Sequence, residues 1–305
     1  MQIVSAAYNA RAVTKLTRRT CLAAAALPLL RGANAVPILD AHTHFYDPRR
    51  SQGVPWPPKS DPVLYRPVLP DEFVGLTSPL GVKGTVVIEA SAWLEDNQWI
   101  LNLAKDHPVI RGFIGHLSPG ENGFASHLKR FSANPLFRGI RLGDNSITAG
   151  LQSPMFLKDM ERLAGEDLVL DAIGGPKLYD SVLSLVRRIP NLRIILDHLP
   201  LDNDPGSQAL EALGRETKVV AKVSGVLRKR KGDRRADYQE SLDRLWRIFG
   251  PQRLVYASNW PVSDKMAPYG VVLKVVKDYF DQKPGDAASR FFSGNGTAFY
   301  NVTCC

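Results

Sequence analysis

The chemistry legible in this chain begins with three histidines and the acids beside them. Asp40-Ala41-His42-Thr43-His44 places two imidazoles at i and i+2. Alternate side chains of an extended segment share a face, so both rings can converge on one metal ion or one substrate oxygen. Asp197-His198-Leu199-Pro200 sets a third imidazole next to a carboxylate, a type suited to general base, metal ligand or donor to an oxyanion. Arg138-Gly139-Ile140-Arg141 carries two guanidinium forks, which can grip a substrate carboxylate bidentately. The structural alternative for Arg141 is a salt bridge to Asp144 or Asp171. The run Tyr256-Ala-Ser-Asn259-Trp260-Pro261-Val-Ser-Asp264 passes from apolar to polar and then to a turn-fixing proline, and it reads as a site loop. His107 and His127 read as surface residues, whereas His116 lies at a strand end within reach of a pocket.

These groups need a scaffold that brings distant segments together. Short β-branched runs recur along the chain, and strands are expected at 38–42, 85–89, 110–116, 139–142, 168–172, 193–198, 219–224 and 254–257. Runs such as Thr85-Val-Val-Ile88 are continuously apolar, which fits parallel strands buried on both faces. Amphipathic periodicity predicts helices at 97–105, 124–131, 154–164, 177–188, 238–249, 271–280 and 287–300, with only a short one at 208–214. Eight strands alternating with helices predict a single-domain (β/α)8 TIM barrel, whose site lies at the carboxyl ends of the strands. Between Phe45 and Gly84 the chain carries eight prolines with Tyr46, Trp56 and Tyr65. This long insert after the first strand is expected to form a rim or lid over the site.

Composition narrows the function. Of 305 residues, 44% are hydrophobic and 23% charged, the balance of a globular protein and not of a disordered or collagen-like chain. The net charge of +9 suggests a polyanionic partner until it is divided by position. Five basic residues (Arg11, Lys15, Arg18, Arg19 and Arg31) and no acid fall in residues 1–35, so nucleic-acid binding loses most of its electrostatic support. Those residues read as a leader: Arg18-Arg19, the apolar run Cys21–Leu30, then Ala33-Asn34-Ala35 as a small-x-small cleavage pattern. The paired arginines resemble a bacterial twin-arginine signal, which implies a periplasmic or secreted product comprising residues 36–305. No later apolar run approaches the length of a membrane span. Cys304 and Cys305 at the tail provide no disulfide framework.

Taken in order, Leu39-Asp-Ala-His-Thr-His44, Val87-Ile-Glu-Ala90, Glu95-Asp-Asn-Gln-Trp99, Arg138-Gly-Ile-Arg141, Leu196-Asp-His-Leu199, Lys222-Val-Ser-Gly225 and Ala257-Ser-Asn-Trp-Pro-Val262 resemble the amidohydrolase-related family. The likeness is to its branch of sugar lactonases and 2-pyrone-4,6-dicarboxylate lactonases. That resemblance runs from Ile38 to about Val302 and implies a hydrolase opening a lactone of a sugar acid or dicarboxylate. The family pattern places His42 and His44 at the first strand, His198 at the sixth and an aspartate at the eighth; with it, His198, Asn259 and Asp264 are the candidate catalytic residues and His42, His44, Arg138 and Arg141 the candidate substrate contacts. Two departures matter. The family's eighth-strand aspartate is Asn259 here, and an amide cannot take a proton as a carboxylate does. The usual fifth-strand histidine is Asp171, so a divalent metal such as zinc would have His42, His44 and Asp171 as ligands, and catalysis without metal is the other reading. His198 is then the first choice for general base and Asp264 the reserve, with Asn259 orienting water or the ring oxygen. The rivals are a ligand-binding barrel that lost its chemistry with that aspartate, and a metal-dependent decarboxylase or amidohydrolase. The expected partner is a small anionic or polyhydroxylated lactone; oligomeric state is not legible.

Overall fold

The computed structural model describes residues 36–175, 177–198, 208–227 and 234–304. The leader, the Leu199-Pro200 step and Cys305 lie outside the described residues. Eight strands follow in chain order: β1 Ile38–Thr43, β2 Val82–Ile88, β3 Ile110–Gly115, β4 Phe137–Gly143, β5 Val169–Ile173, β6 Arg193–Leu196, β7 Val219–Val223 and β8 Leu254–Tyr256. Each pairs in parallel with the next. The last meets the first just beyond β8, where Asn259 N donates to the His42 carbonyl at 3.0 Å and His44 N to that of Trp260 at 2.9 Å. The expected TIM barrel is present, and its strands lie within a few residues of the expected positions.

Two apolar layers hold it. Inside the ring, Leu39, Val86, Ile114, Val169, Ile195 and Val220 form a buried cluster with Phe299 and Tyr300 from the C-terminal helix. Outside it, the helices pack their apolar stripes on the strands. The helix Lys177–Arg188 buries Leu178, Val182, Leu185 and Val186, the i, i+4, i+7, i+8 spacing of one helical face. The helix Pro154–Gly165 starts where the Ser153 side chain accepts from Phe156 N, with proline at its first position.

Two helices were not expected, Pro70–Thr77 and Asp144–Gly150. The first opens on a proline inside the proline-rich insert, and the second is a seven-residue segment with one large apolar residue, so neither displays a period. The insert is ordered by its own contacts. Tyr46 and Val68 bridge in antiparallel fashion, and the Tyr46 hydroxyl donates to the Leu64 carbonyl at 2.8 Å. The helix expected over 287–300 contains a π-helical turn at Arg290–Gly294 between Ala287–Ser289 and Asn295–Tyr300.

Candidate active site

The carboxyl ends of the strands carry a buried polar cluster. His42 is fully buried and His44 nearly so. Their Nε2 atoms lie 3.2 Å apart, and His44 Nδ1 is 3.0 Å from the Ile88 carbonyl. The His198 ring centre stands 4.4 Å from that of His42, so the three imidazoles expected from distant segments meet. His198 sits just past β6 with φ of +48°, a left-handed conformation uncommon for a non-glycine residue and a mark of a constrained site. Its Nδ1 is 2.7 Å from Ser224 Oγ, one residue past β7.

Beneath the rings lies a group the sequence analysis quoted only as part of a motif. Lys222, inside β7, has no exposed surface, and its Nζ is 2.5 Å from Asp171 Oδ2, 2.9 Å from Asp197 Oδ1 and 3.2 Å from His42 Nδ1. The Asp197 approach is an ion pair outside hydrogen-bond geometry. The Tyr300 hydroxyl donates to Asp171 from below, 3.1 Å from Oδ2. Burial pushes the Asp171 carboxyl up to about 7 against the pull of Lys222. Burial acts on Asp197 in the same sense, yet the charge of Lys222 outweighs it and holds that carboxyl well below the usual range. Burial and the charge of Lys222 drive His42 well below the ordinary histidine value, and burial with Arg141 lowers His44 to about 3. Both rings are therefore neutral at physiological pH. A charged residue within Val219-Val-Ala-Lys-Val223 was itself a signal, because lysine is almost never fully buried unless paired.

Above the rings a cavity of about 930 Å³, counting its solvent-open mouth, is lined by His44, Trp56, Glu89, Arg141, His198 and Asn259 among others. The insert thus supplies the rim, through Pro55 and Trp56. Arg141 does not pair with Asp144 or Asp171. Its Nε donates to Glu89 Oε1 at 2.9 Å and its Nη2 to the Glu89 carbonyl at 2.8 Å, so an Arg–Glu ion pair stands on the cavity wall. Asn259 also has a positive φ, +62°, which asparagine tolerates better than most residues. Its Oδ1 is buried with no hydrogen-bond partner among the described residues.

Three expected site residues lie elsewhere. Arg138 is near the amino end of β4, where Asp167 and Arg193 act on it; three residue steps along the strand set it about 10 Å from Arg141. Asp264 faces Arg66 at 3.6 Å from a 3₁₀ turn and does not line the cavity. His116 likewise does not line it, and its backbone is held by the Asn97 side chain.

A family model described as Amidohydrolase matches residues 39–302. The chain belongs to the Amidohydro_2 family. Among curated proteins this amidohydrolase is 28% identical to an L-fucono-1,5-lactonase of Burkholderia ambifaria over 285 residues, covering 87% of this chain and 95% of the relative. A solved amidohydrolase from Burkholderia multivorans with bound zinc superposes with a TM-score of 0.76 at 24% identity, covering 87% of this chain and 99% of that one. A protein from Acinetobacter baumannii described as a probable 2-pyrone-4,6-dicarboxylic acid hydrolase, with citric acid bound, gives a TM-score of 0.71 at 17% identity over 87% of this chain and 99% of that one. The family and the lactonase relatives make this chain a hydrolase acting on a small molecule.

A divalent metal needs several ligand atoms converging on one point. Among the described residues, one group has converging ligand atoms: His42, Asp197 and His198, within 4.8 Å of one another. Two of these three turn a ligand atom to Lys222 Nζ, whose charge already compensates them. Asp171 is bound to Lys222 and Tyr300, and the eighth-strand position is an amide, a poor metal ligand. As arranged, the cluster fits an ammonium rather than a divalent ion, and Asp171 is not disposed as the ligand expected from the resemblance.

Proposed function

We propose that this amidohydrolase opens the ring ester of a sugar-acid lactone by attack of water, with His198 as general base. The observation that carries the reading is the convergence of His198, His44, Arg141 and Asn259 on one open cavity above a buried charged floor. The likeness to L-fucono-1,5-lactonases supports a six-membered aldonolactone as substrate. Arg141 and Glu89 provide donors and an acceptor for its hydroxyls, and Trp56 an apolar face for its C–H edges.

In this reading the Nδ1–H of His198 is given to Ser224, and Nε2 accepts a proton from the attacking water. The hydroxide oxygen bonds to the lactone carbonyl carbon. The tetrahedral intermediate then breaks the ring C–O bond, and the departing oxygen recovers that proton as a hydroxyl. Lactone and water become a hydroxy acid. Asn259 lines the cavity and orients the water through its side-chain amide, a group that cannot itself take the proton. A panel of aldonolactones, followed by proton release with and without chelator, tests the reading. Turnover that survives the chelator and falls about 10²-fold or more in His198→Asn is expected; full activity in that variant rejects the base. The leader in residues 1–35 supports export by a twin-arginine route, tested by fractionation of cells expressing the chain with Arg18 and Arg19 replaced by lysine.

A further inference from the structure

The protons of the β1 histidine pair can be placed one by one. The Ile88 carbonyl, 3.0 Å from His44 Nδ1, can only accept, so that nitrogen carries hydrogen and His44 Nε2 holds the lone pair. His42 Nε2, 3.2 Å away, must then be the donor of the contact between the rings. A neutral ring protonated at Nε2 has its lone pair at Nδ1, and there the structure sets Lys222 Nζ at 3.2 Å, a group with donors only. Asp197 Oδ1 stands farther from the same nitrogen, at 3.5 Å, as an acceptor facing an acceptor would. Lys222 Nζ also donates to Asp171 and forms an ion pair with Asp197.

We propose that Lys222 is a positioning residue: clamped between Asp171 and Asp197, it donates to His42 Nδ1 and so dictates the tautomers of both β1 histidines. The donor chain runs from Lys222 Nζ to His42 Nδ1, from His42 Nε2 to His44 Nε2, and from His44 Nδ1 to the Ile88 carbonyl. A carboxylate alone beside His42 would select the opposite tautomer, because it accepts from Nδ1–H. The proposal holds whatever the substrate. It also gives the misfit with a divalent ion a cause, since a metal shared by the pair needs lone pairs on both Nε2 atoms and His42 offers hydrogen there. Binding one would require the ring to move its proton to Nδ1, against the ammonium.

Long-range ¹H–¹⁵N spectra of the full chain labelled in histidine test this, with the His42 signals assigned by their loss in His42→Asn. In the wild type, Nε2 of His42 and Nδ1 of His44 are expected to be the protonated nitrogens. In Lys222→Met the proton of His42 is expected to change to Nδ1 and point to Asp197. One equivalent of zinc chloride should leave the wild-type ring signals in place. A wild-type His42 protonated at Nδ1, an unchanged tautomer in folded Lys222→Met, or coordination of zinc by wild-type His42 would each overturn the proposal. The wild-type spectrum decides by itself, whether or not the variant folds.

Discussion

The two ends of the barrel interior use the same strands for opposite purposes. Toward the amino ends, Leu39, Val86, Val169, Ile195 and Val220 pack against Phe299 and Tyr300 as an apolar plug. Toward the carboxyl ends, β5 and β7 and the residue after β6 place Asp171, Lys222 and Asp197 in equally deep burial. Removing charges from water costs several kcal/mol per ion, and attraction within a cluster offsets this only when the geometry is good. The apolar end therefore supplies stability that the polar end consumes to hold its imidazoles in one arrangement. Tyr300 joins the two, packed in the plug while its hydroxyl supports Asp171.

Substitutions at the two ends should separate these roles. Lys222→Met strands two buried carboxylates and should have the largest effect, a loss of about 3–5 kcal/mol in urea unfolding together with loss of turnover. Ile195→Ala, in the plug, should cost about 3 kcal/mol through the cavity it leaves, while kcat at a permissive temperature stays within about twofold of wild type. Equal loss of activity in both variants would dissolve the contrast.

A pH comparison sharpens it. Burial pushes Asp40 up to about 6 despite bonds from Ser258 N and the Tyr269 hydroxyl. A raised carboxyl contributes stability that is complete below its unfolded value of 3.8 and is lost as pH rises through about 6. The stability of Asp40→Asn relative to wild type should therefore rise between pH 4 and 7, by about 2 kcal/mol at 1.36 kcal/mol per unit. Urea midpoints at the two pH values check it, and a flat difference would place Asp40 in a wetter setting. His198→Asn should lower kcat by about 10²-fold, close to 2.7 kcal/mol of barrel-end chemistry, with little change in unfolding midpoint. Trp56→Ala on the rim should have the smallest effect, a few-fold rise in KM with kcat nearly kept, read from initial rates on the best aldonolactone.

Much of this was legible in the residues. The β-branched runs located all eight strands because parallel barrel strands are buried on both faces and leave an unbroken apolar signal. His42, His44 and His198 were legible as strand-end polar groups, which a barrel gathers at one mouth. Arg138 was misplaced because the four-residue motif Arg138-Gly-Ile-Arg141 does not say how far along its strand each arginine sits. Asp264 was misplaced because a turn immediately after Trp260-Pro261 directs it to Arg66. Glu89 and Ser224 were missed as site residues: each acts through a partner on another strand, Arg141 and His198, that no local pattern announces.

What the chain determined by itself is therefore the family, the barrel and the positions of its imidazoles, since these follow from local periodicity and from side chains at strand ends. What only the tertiary structure decided is which charges meet. Lys222 lies 51 residues from Asp171 and 180 from His42 in sequence, and ring closure, which sets strand order and depth together, brings their polar atoms within 3.2 Å or less of its nitrogen. At that range in a water-free interior, the partners and not the residue types dictate protonation, and partners are a property of the closed ring alone.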